Sequence, residues 1–118
     1  MTDVPIACLL TAPELRERRE TVLAGFRTAQ LEVRELTDAS GEGYGFRFTP
    51  TAAQLAALAE LIELERQCCP FLRFQLTLEP AGGALWLALT GPTGTREFLA
   101  HELGLVSTPG LVHRTSPR

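Results

Sequence analysis

Pro70 separates two segments of opposite periodicity, and this boundary constrains the fold more than any other feature of the sequence. The segment Ala52–Cys68 consists of good helix formers whose apolar side chains recur at helical spacing. Because the residue before a proline is pushed away from the α region, this helix should end at or just before Cys69. In Phe71–Glu79, apolar and polar residues alternate, which predicts a strand with one buried face.

Two further helices are predicted on either side of this region. Proline and acidic residues suit the first turn of the earlier helix, and a glycine ends the later one. The charged run Glu14–Glu20 is interpreted as a solvated helix face, whose ion pairs contribute little to stability. The first helix is predicted to run from Pro13 to Gly25 or Thr28. Thr93 is predicted to cap the last helix, which Gly104 ends.

The remaining segments predict two β-hairpins. Leu31–Leu36 partly alternates and Tyr44–Phe48 alternates cleanly, and the two segments flank the turn Asp38–Gly43, which is rich in glycine. Pro80–Gly83 is a second turn, and it joins Phe71–Glu79 to the apolar run Ala84–Thr90. Such a continuous apolar run is typical of a central strand covered on both faces.

These elements predict an α+β fold. We expect an antiparallel four-stranded sheet made of two hairpins, with two to three helices packed mainly on one face. A length of 118 residues fits one domain. Residues 1–106 are expected to form that domain, and residues 107–118, which include two prolines, are expected to be a loosely ordered tail.

Composition and charge exclude several classes of function. The formal net charge is -3 and 21% of the residues are charged, which argues against nucleic-acid binding, because that function needs a basic face. No apolar stretch reaches the ~18 residues that a membrane span needs. The N-terminal residues lack the basic start and long apolar run of a signal peptide. We therefore expect a cytoplasmic protein, in which thiols are normally kept reduced.

The adjacent cysteines Cys68 and Cys69 are the main candidates for chemistry. Glu65 precedes them by three and four residues, so a helix would place the carboxylate and the thiols on one face. Thiolates select Zn, Cu(I) and softer thiophilic ions. The C-terminal end of a helix disfavours a bare thiolate, and a bound cation would offset this effect. The alternatives are that both cysteines are small core residues, or that one of them is a nucleophile.

Other residues could complete a metal site. Cys8 could supply a third thiol and give a trigonal or four-coordinate site, or it could be an apolar residue that docks on the core. His101 and His113 could each ligate a metal, although a lone histidine is more often an ordinary surface or core residue. The segment Thr90–Arg96 is interpreted as a turn and helix cap, because it lacks the lysine of a phosphate-binding loop.

The segments Glu65–Phe74 and Leu85–Leu99 resemble a family of small, uncharacterised bacterial proteins. Their shared pattern is Glu-Arg-x-Cys-Cys-Pro-Phe, then a hairpin and Leu-Thr-Gly-Pro-x-Gly-x-x-x-Phe-Leu. The segments Cys8–Thr11 and Gly43–Phe48 are similar to earlier parts of the family, so the resemblance extends over most of residues 6–103. The family is associated with heavy-metal resistance, notably to mercury and arsenic. The resemblance implies a thiol-based metal or metalloid role for the three cysteines, with Glu65 nearby.

Three hypotheses follow. The first is a cytoplasmic protein that sequesters, senses or transfers a thiophilic ion (Zn, Cu, Hg or As) through Cys68 and Cys69, with Cys8 as a third ligand and Glu65 ligating or orienting. The second is a thiol oxidoreductase or thiol-dependent transferase with Cys68 or Cys69 as nucleophile, and it requires a lowered thiol pKa. The third is a non-catalytic interaction domain, which could form a homodimer through an exposed edge strand or the charged first helix. The resemblance supplies no enzymatic activity.

Overall fold

The computed structural model describes residues 12–39, 41–108 and 111–114. The elements within these ranges confirm the predicted α+β fold and its four-stranded antiparallel sheet. In chain order they are α1 (Pro13–Ala29), β1 (Glu32–Asp38), β2 (Gly41–Phe48), α2 (Ala52–Cys68), β3 (Arg73–Leu78), β4 (Leu85–Gly91), α3 (Thr95–Leu103), β5 (Leu105–Thr108) and β6 (Leu111–Arg114).

The main sheet consists of the two predicted hairpins joined side by side. Its strand order is β1-β2-β4-β3, so the second strands of the two hairpins are neighbours at the centre. The register between β2 and β4 places aromatic residues opposite leucines on one face of the sheet. These pairs are Tyr44 with Leu89, Phe46 with Leu87, and Phe48 with Leu85.

The helices pack on this aromatic face. Phe26 of α1 lies with its ring centroid 4.8 Å from that of Phe46 and 5.3 Å from that of Phe48. Leu58 of α2 and Leu99 of α3 belong to the same buried cluster. The apolar surface of these helices and of the sheet is thus removed from water in one core, which is the main source of stability.

The other face of β4 is only half-buried, which corrects the expectation that this strand is covered on both sides. Leu85, Leu87 and Leu89 are buried, whereas Trp86 and Ala88 are partly exposed on the opposite face. Arg34 of β1 lies over the Trp86 ring, 4.5 Å from its centroid, and provides part of the cover. The apolar run therefore reflects a central position in the sheet with helices on one side.

The structure differs from the sequence-based expectation at the first turn and at residues 105–114. The glycines assigned to the first turn lie in β2, where Gly43 approaches β4 so closely that a Cβ would lie 1.8 Å from the Leu89 carbonyl oxygen. At position 43, glycine is required by this contact between strands and not by a turn. β5 begins within the domain predicted for residues 1–106, and it pairs with β6, which lies in the predicted tail, as an antiparallel two-stranded sheet that the sequence did not predict.

Candidate functional site

The C-terminal end of α2 places the two adjacent cysteines in the core. The helix ends at Cys68, as the position of Pro70 predicts, and the backbone N–H of Cys69 donates to the Glu65 carbonyl at 2.6 Å. Cys69 then leaves the helical conformation with φ -125° and ψ 75°. Both cysteine side chains are 0% exposed.

The structure brings together three of the four predicted site residues. The Cys69 thiol donates toward the Cys68 Sγ, with 3.5 Å between the two sulfurs, and it lies 3.9 Å from the Glu65 Oε1. Cys68 is disulfide-bonded, whereas Cys69 carries a free thiol. Cys8, the fourth predicted residue, lies outside the described residues.

Arg19 of α1 also belongs to this cluster, and the sequence interpretation missed it. Its Nε donates to the Glu65 Oε2 at 2.6 Å, and its Nη2 donates to the Glu65 Oε1 at 3.1 Å. The same Nη2 lies 3.1 Å from the Glu102 Oε1 of α3. The paired guanidinium and carboxylate therefore join three helices at one buried point.

The interpretation of Glu14–Glu20 as a solvated face is wrong for Arg19, which is 5% exposed. The position of Arg19 in the sequence already indicated that its side chain is buried. Arg19 precedes Leu23 by four residues and Phe26 by seven, so it lies on the apolar stripe of α1. A charged residue in such a position requires a buried partner of opposite charge, because an unpaired buried charge is very unfavourable. Glu65 is the corresponding charge on the buried face of α2.

The electrostatic environment keeps the free thiol protonated. Burial, followed by repulsion from the Glu65 carboxylate, raises the pKa of Cys69 to about 12 from an ordinary value of 9.0. Arg19 opposes this shift, and Glu102 adds to it. A reactive cysteine needs a lowered pKa and solvent access, so this environment disfavours a nucleophilic role for Cys69.

A surface cleft of about 810 Å³ reaches the ion-paired side of the cluster. Arg19 and Glu102 line it, together with Arg16, Glu17 and Glu20 of α1. Glu65 and the two cysteines do not line the cleft, so Arg19 and Glu102 separate it from the buried sulfur atoms.

The other predicted candidates are not part of this arrangement. His101 is exposed in the last turn of α3, and the side chain of His113 lies outside the described part of the chain. Among the described residues, no group of three His, Cys, Asp or Glu side chains is placed to hold a metal ion.

The loop before α3 is a helix cap, as predicted, although Thr93 is not the capping residue. The Glu42 carboxylate accepts hydrogen bonds from the backbone N–H of Gly94 at 3.0 Å and of Arg96 at 3.1 Å. This carboxylate occupies the place that a phosphate would take at a helix N-terminus.

The comparisons with known proteins found no match among family models, curated proteins or solved structures. None of the helices in the described ranges combines the length and apolar character needed to cross a membrane.

Proposed function

We propose that the reduced protein binds a thiophilic metal or metalloid ion through Cys68 and Cys69. The observation that supports this proposal is the distance of 3.5 Å between their sulfur atoms. Two sulfurs bound to a tetrahedral ion at about 2.3 Å each are about 3.8 Å apart. After reduction of Cys68, the two sulfur atoms therefore need to move by only a few tenths of an ångström from these positions to hold one such ion.

A cation also suits the charge of the site. Ionised Cys68 and Cys69 beside Glu65 and Glu102 would place four negative charges around the single positive charge of Arg19. Burying such an excess of negative charge is unfavourable, whereas a soft cation bound to the sulfurs would offset it. Both oxygens of Glu65 already accept from Arg19, which favours an orienting role for this carboxylate over direct ligation.

Cys8 is proposed as the third thiol ligand. The described residues supply two sulfurs, and a third donor would give a trigonal or four-coordinate site. Because Cys68 is disulfide-bonded, its bond must be reduced before the ion can bind. Cytoplasmic reductants would maintain that state, and we place the protein in the cytoplasm as part of the proposal. Sequestration, sensing or transfer of the ion in heavy-metal resistance is the role that the family resemblance implies.

The proposal is tested on the full, reduced chain under anaerobic conditions. Titration with Zn(II), Cu(I), Hg(II) and As(III), one at a time, should consume thiols and saturate at one ion per chain for the ions that bind. The double variant C68S/C69S should lose binding, and C8S should weaken it. Because thiol protons are displaced, affinity should rise with pH.

Glu60→Gln, at an exposed carboxylate elsewhere on α2, is the matched control and should bind like the parent. If C68S/C69S binds the ions as tightly as the parent, the proposal is wrong. Alkylation before and after reduction, followed by peptide mass spectrometry, identifies the cysteine joined to Cys68 and verifies that it has been reduced.

A second candidate is a structural role for the cysteines in a non-catalytic domain. The observation that favours it is that both side chains are fully buried members of the hydrophobic core. Under this hypothesis Cys69→Ala lowers stability, and the reduced protein contains no bound ion after purification from metal-supplemented cells. Elemental analysis of the parent and of C68S/C69S separates the two candidates.

A further inference from the structure

Strand β3 is an edge strand whose apolar face is left uncovered by the helices. In the described sheet it is hydrogen-bonded to β4 on one side. Leu76 and Leu78 pair with Leu87 and Leu85, so they lie on the face that carries the core. Nevertheless Leu76 is 40% exposed and Leu78 is 56% exposed. Exposed apolar side chains on an unpaired edge are typical of an interaction surface.

The backbone of β3 is arranged to accept another strand. The N–H of Glu79 donates to the Ala84 carbonyl at 2.9 Å, so residue 79 is bonded toward β4. Because bonding direction alternates along an antiparallel strand, the N–H and C=O groups of Phe74, Leu76 and Leu78 are directed toward the free edge. These residues are also the ones whose side chains lie on the apolar face.

We propose that this edge pairs with β3 of a second copy of the chain. The two strands would run antiparallel about a two-fold axis at Leu76, so that the main sheets of the two copies become continuous. Leu76 would then exchange hydrogen bonds with Leu76 of the second copy, and Phe74 with Leu78 of the second copy. In this register apolar residues meet apolar residues on the helix-bearing face, and the contact is self-complementary as a two-fold interface requires.

Charge complementarity selects this register. Arg73 is the first residue of β3 and Glu79 directly follows its last residue, and the segment between them contains no charged residue. A two-fold axis at Leu76 places Arg73 opposite Glu79 of the second copy, and the symmetry repeats this pair. A shift of two residues in either direction would remove both pairs.

The opposite edge of the sheet differs from β3 in two respects. β6 of the same chain lies against β1, and β1 carries charged residues along its length, which disfavour pairing with a strand of another molecule. These residues are Glu32, Arg34, Glu35 and Asp38. Because β3 lacks such charges between its ends, it is the edge that we assign to the second copy.

Sedimentation velocity of the full chain over a range of concentrations tests the proposal. The parent should be a dimer that dissociates on dilution. R73E and E79R should each raise the dissociation constant by about tenfold, because like charges then face each other in both symmetric pairs. The double variant R73E/E79R should restore the dimer, since it exchanges the two charges.

Leu78→Lys and Leu31→Lys form a matched pair of controls. The two leucines are exposed to nearly the same extent, 56% and 55%, but Leu31 lies outside β3. Leu78→Lys should give a monomer and Leu31→Lys should leave the dimer intact. A parent that stays monomeric at high concentration overturns the proposal. It is also overturned if R73E/E79R fails to restore association, or if β3 amides resist hydrogen exchange in a monomer because another part of the chain covers them.

Discussion

Two arginine–glutamate pairs join α1 to α2, and they differ mainly in their access to water. Arg18 pairs with Glu60, and their side chains are 59% and 42% exposed. The next residue, Arg19, pairs with Glu65, and their side chains are 7% and 6% exposed. Successive residues of one helix thus make the same kind of bond to the same partner helix, once at the surface and once in the core.

The degree of burial, and not the residue type, therefore determines how much each ion pair contributes to stability. In water the attraction between Arg18 and Glu60 is small, and ordering two flexible side chains offsets much of it. In the core, Arg19 and Glu65 have lost their hydration, so each charge depends on the other. We therefore expect the buried pair to fix the packing of the helices around Cys69.

The largest expected difference between the two pairs is in stability. Glu65→Gln should lower the free energy of unfolding by about 3 kcal/mol, because the buried Arg19 loses its main charged partner. Glu60→Gln should lower it by less than about 1 kcal/mol. Urea denaturation of both variants at pH 7 measures these changes. Equal losses for the two variants would mean that burial does not distinguish the pairs.

The pH dependence of stability tests the low-dielectric environment of the buried pair. The pKa of Cys69 is raised to about 12 from 9.0, so between these values the folded state holds a proton that the unfolded state has lost. Stability is therefore unaffected by this group below pH 9 and falls by up to about 1.4 kcal/mol per pH unit above it.

The measurement is the pH profile of the free energy of unfolding for the parent and for Cys69→Ala. The variant removes the thiol, so its profile should be flatter than that of the parent between pH 9 and pH 11. Parallel profiles would show that the Cys69 thiol does not titrate differently in the folded and unfolded chains.

The smallest expected difference between the pairs is in their response to salt. At 1 M salt the screening length is about 3 Å, so the few tenths of a kcal/mol from Arg18 and Glu60 should disappear. The pair of Arg19 and Glu65 is almost fully buried, although Arg19 lines the cleft, and it should keep most of its effect. Repeating the denaturation of E60Q, E65Q and the parent at low and high salt checks this. A salt response of equal size in both variants would contradict it.

The fold could be predicted because its signals are local. Pro70 sets the end of α2, and the alternation in Phe71–Glu79 indicates a strand whatever surrounds it. The placement of Glu65 beside the adjacent cysteines also follows from helical spacing alone. The strands β5 and β6 were not predicted, because four-residue segments carry too little periodicity to reveal a pairing.

The part of the site that sequence reasoning missed depends on contacts between helices. The sequence interpretation treated Glu14–Glu20 as one exposed surface, so it did not distinguish Arg19 from its charged neighbours. Only the approach of α2 and α3 shows that Arg19 points toward Glu65 and Glu102. The disulfide at Cys68 was not predicted either, because the sequence alone does not show which cysteines come close enough in space to form a bond.

The Glu42 side chain has a consequence for how the two hairpins are held together. Glu42 is a residue of β2, in the first hairpin. Its carboxylate accepts hydrogen bonds from the backbone at the start of α3, the helix that follows the second hairpin. The helix thus receives from a distant part of its own chain the negative charge that other proteins recruit as a dissolved anion. Because this negative charge is part of the chain, the start of α3 is bound to the sheet without an anion from the solution.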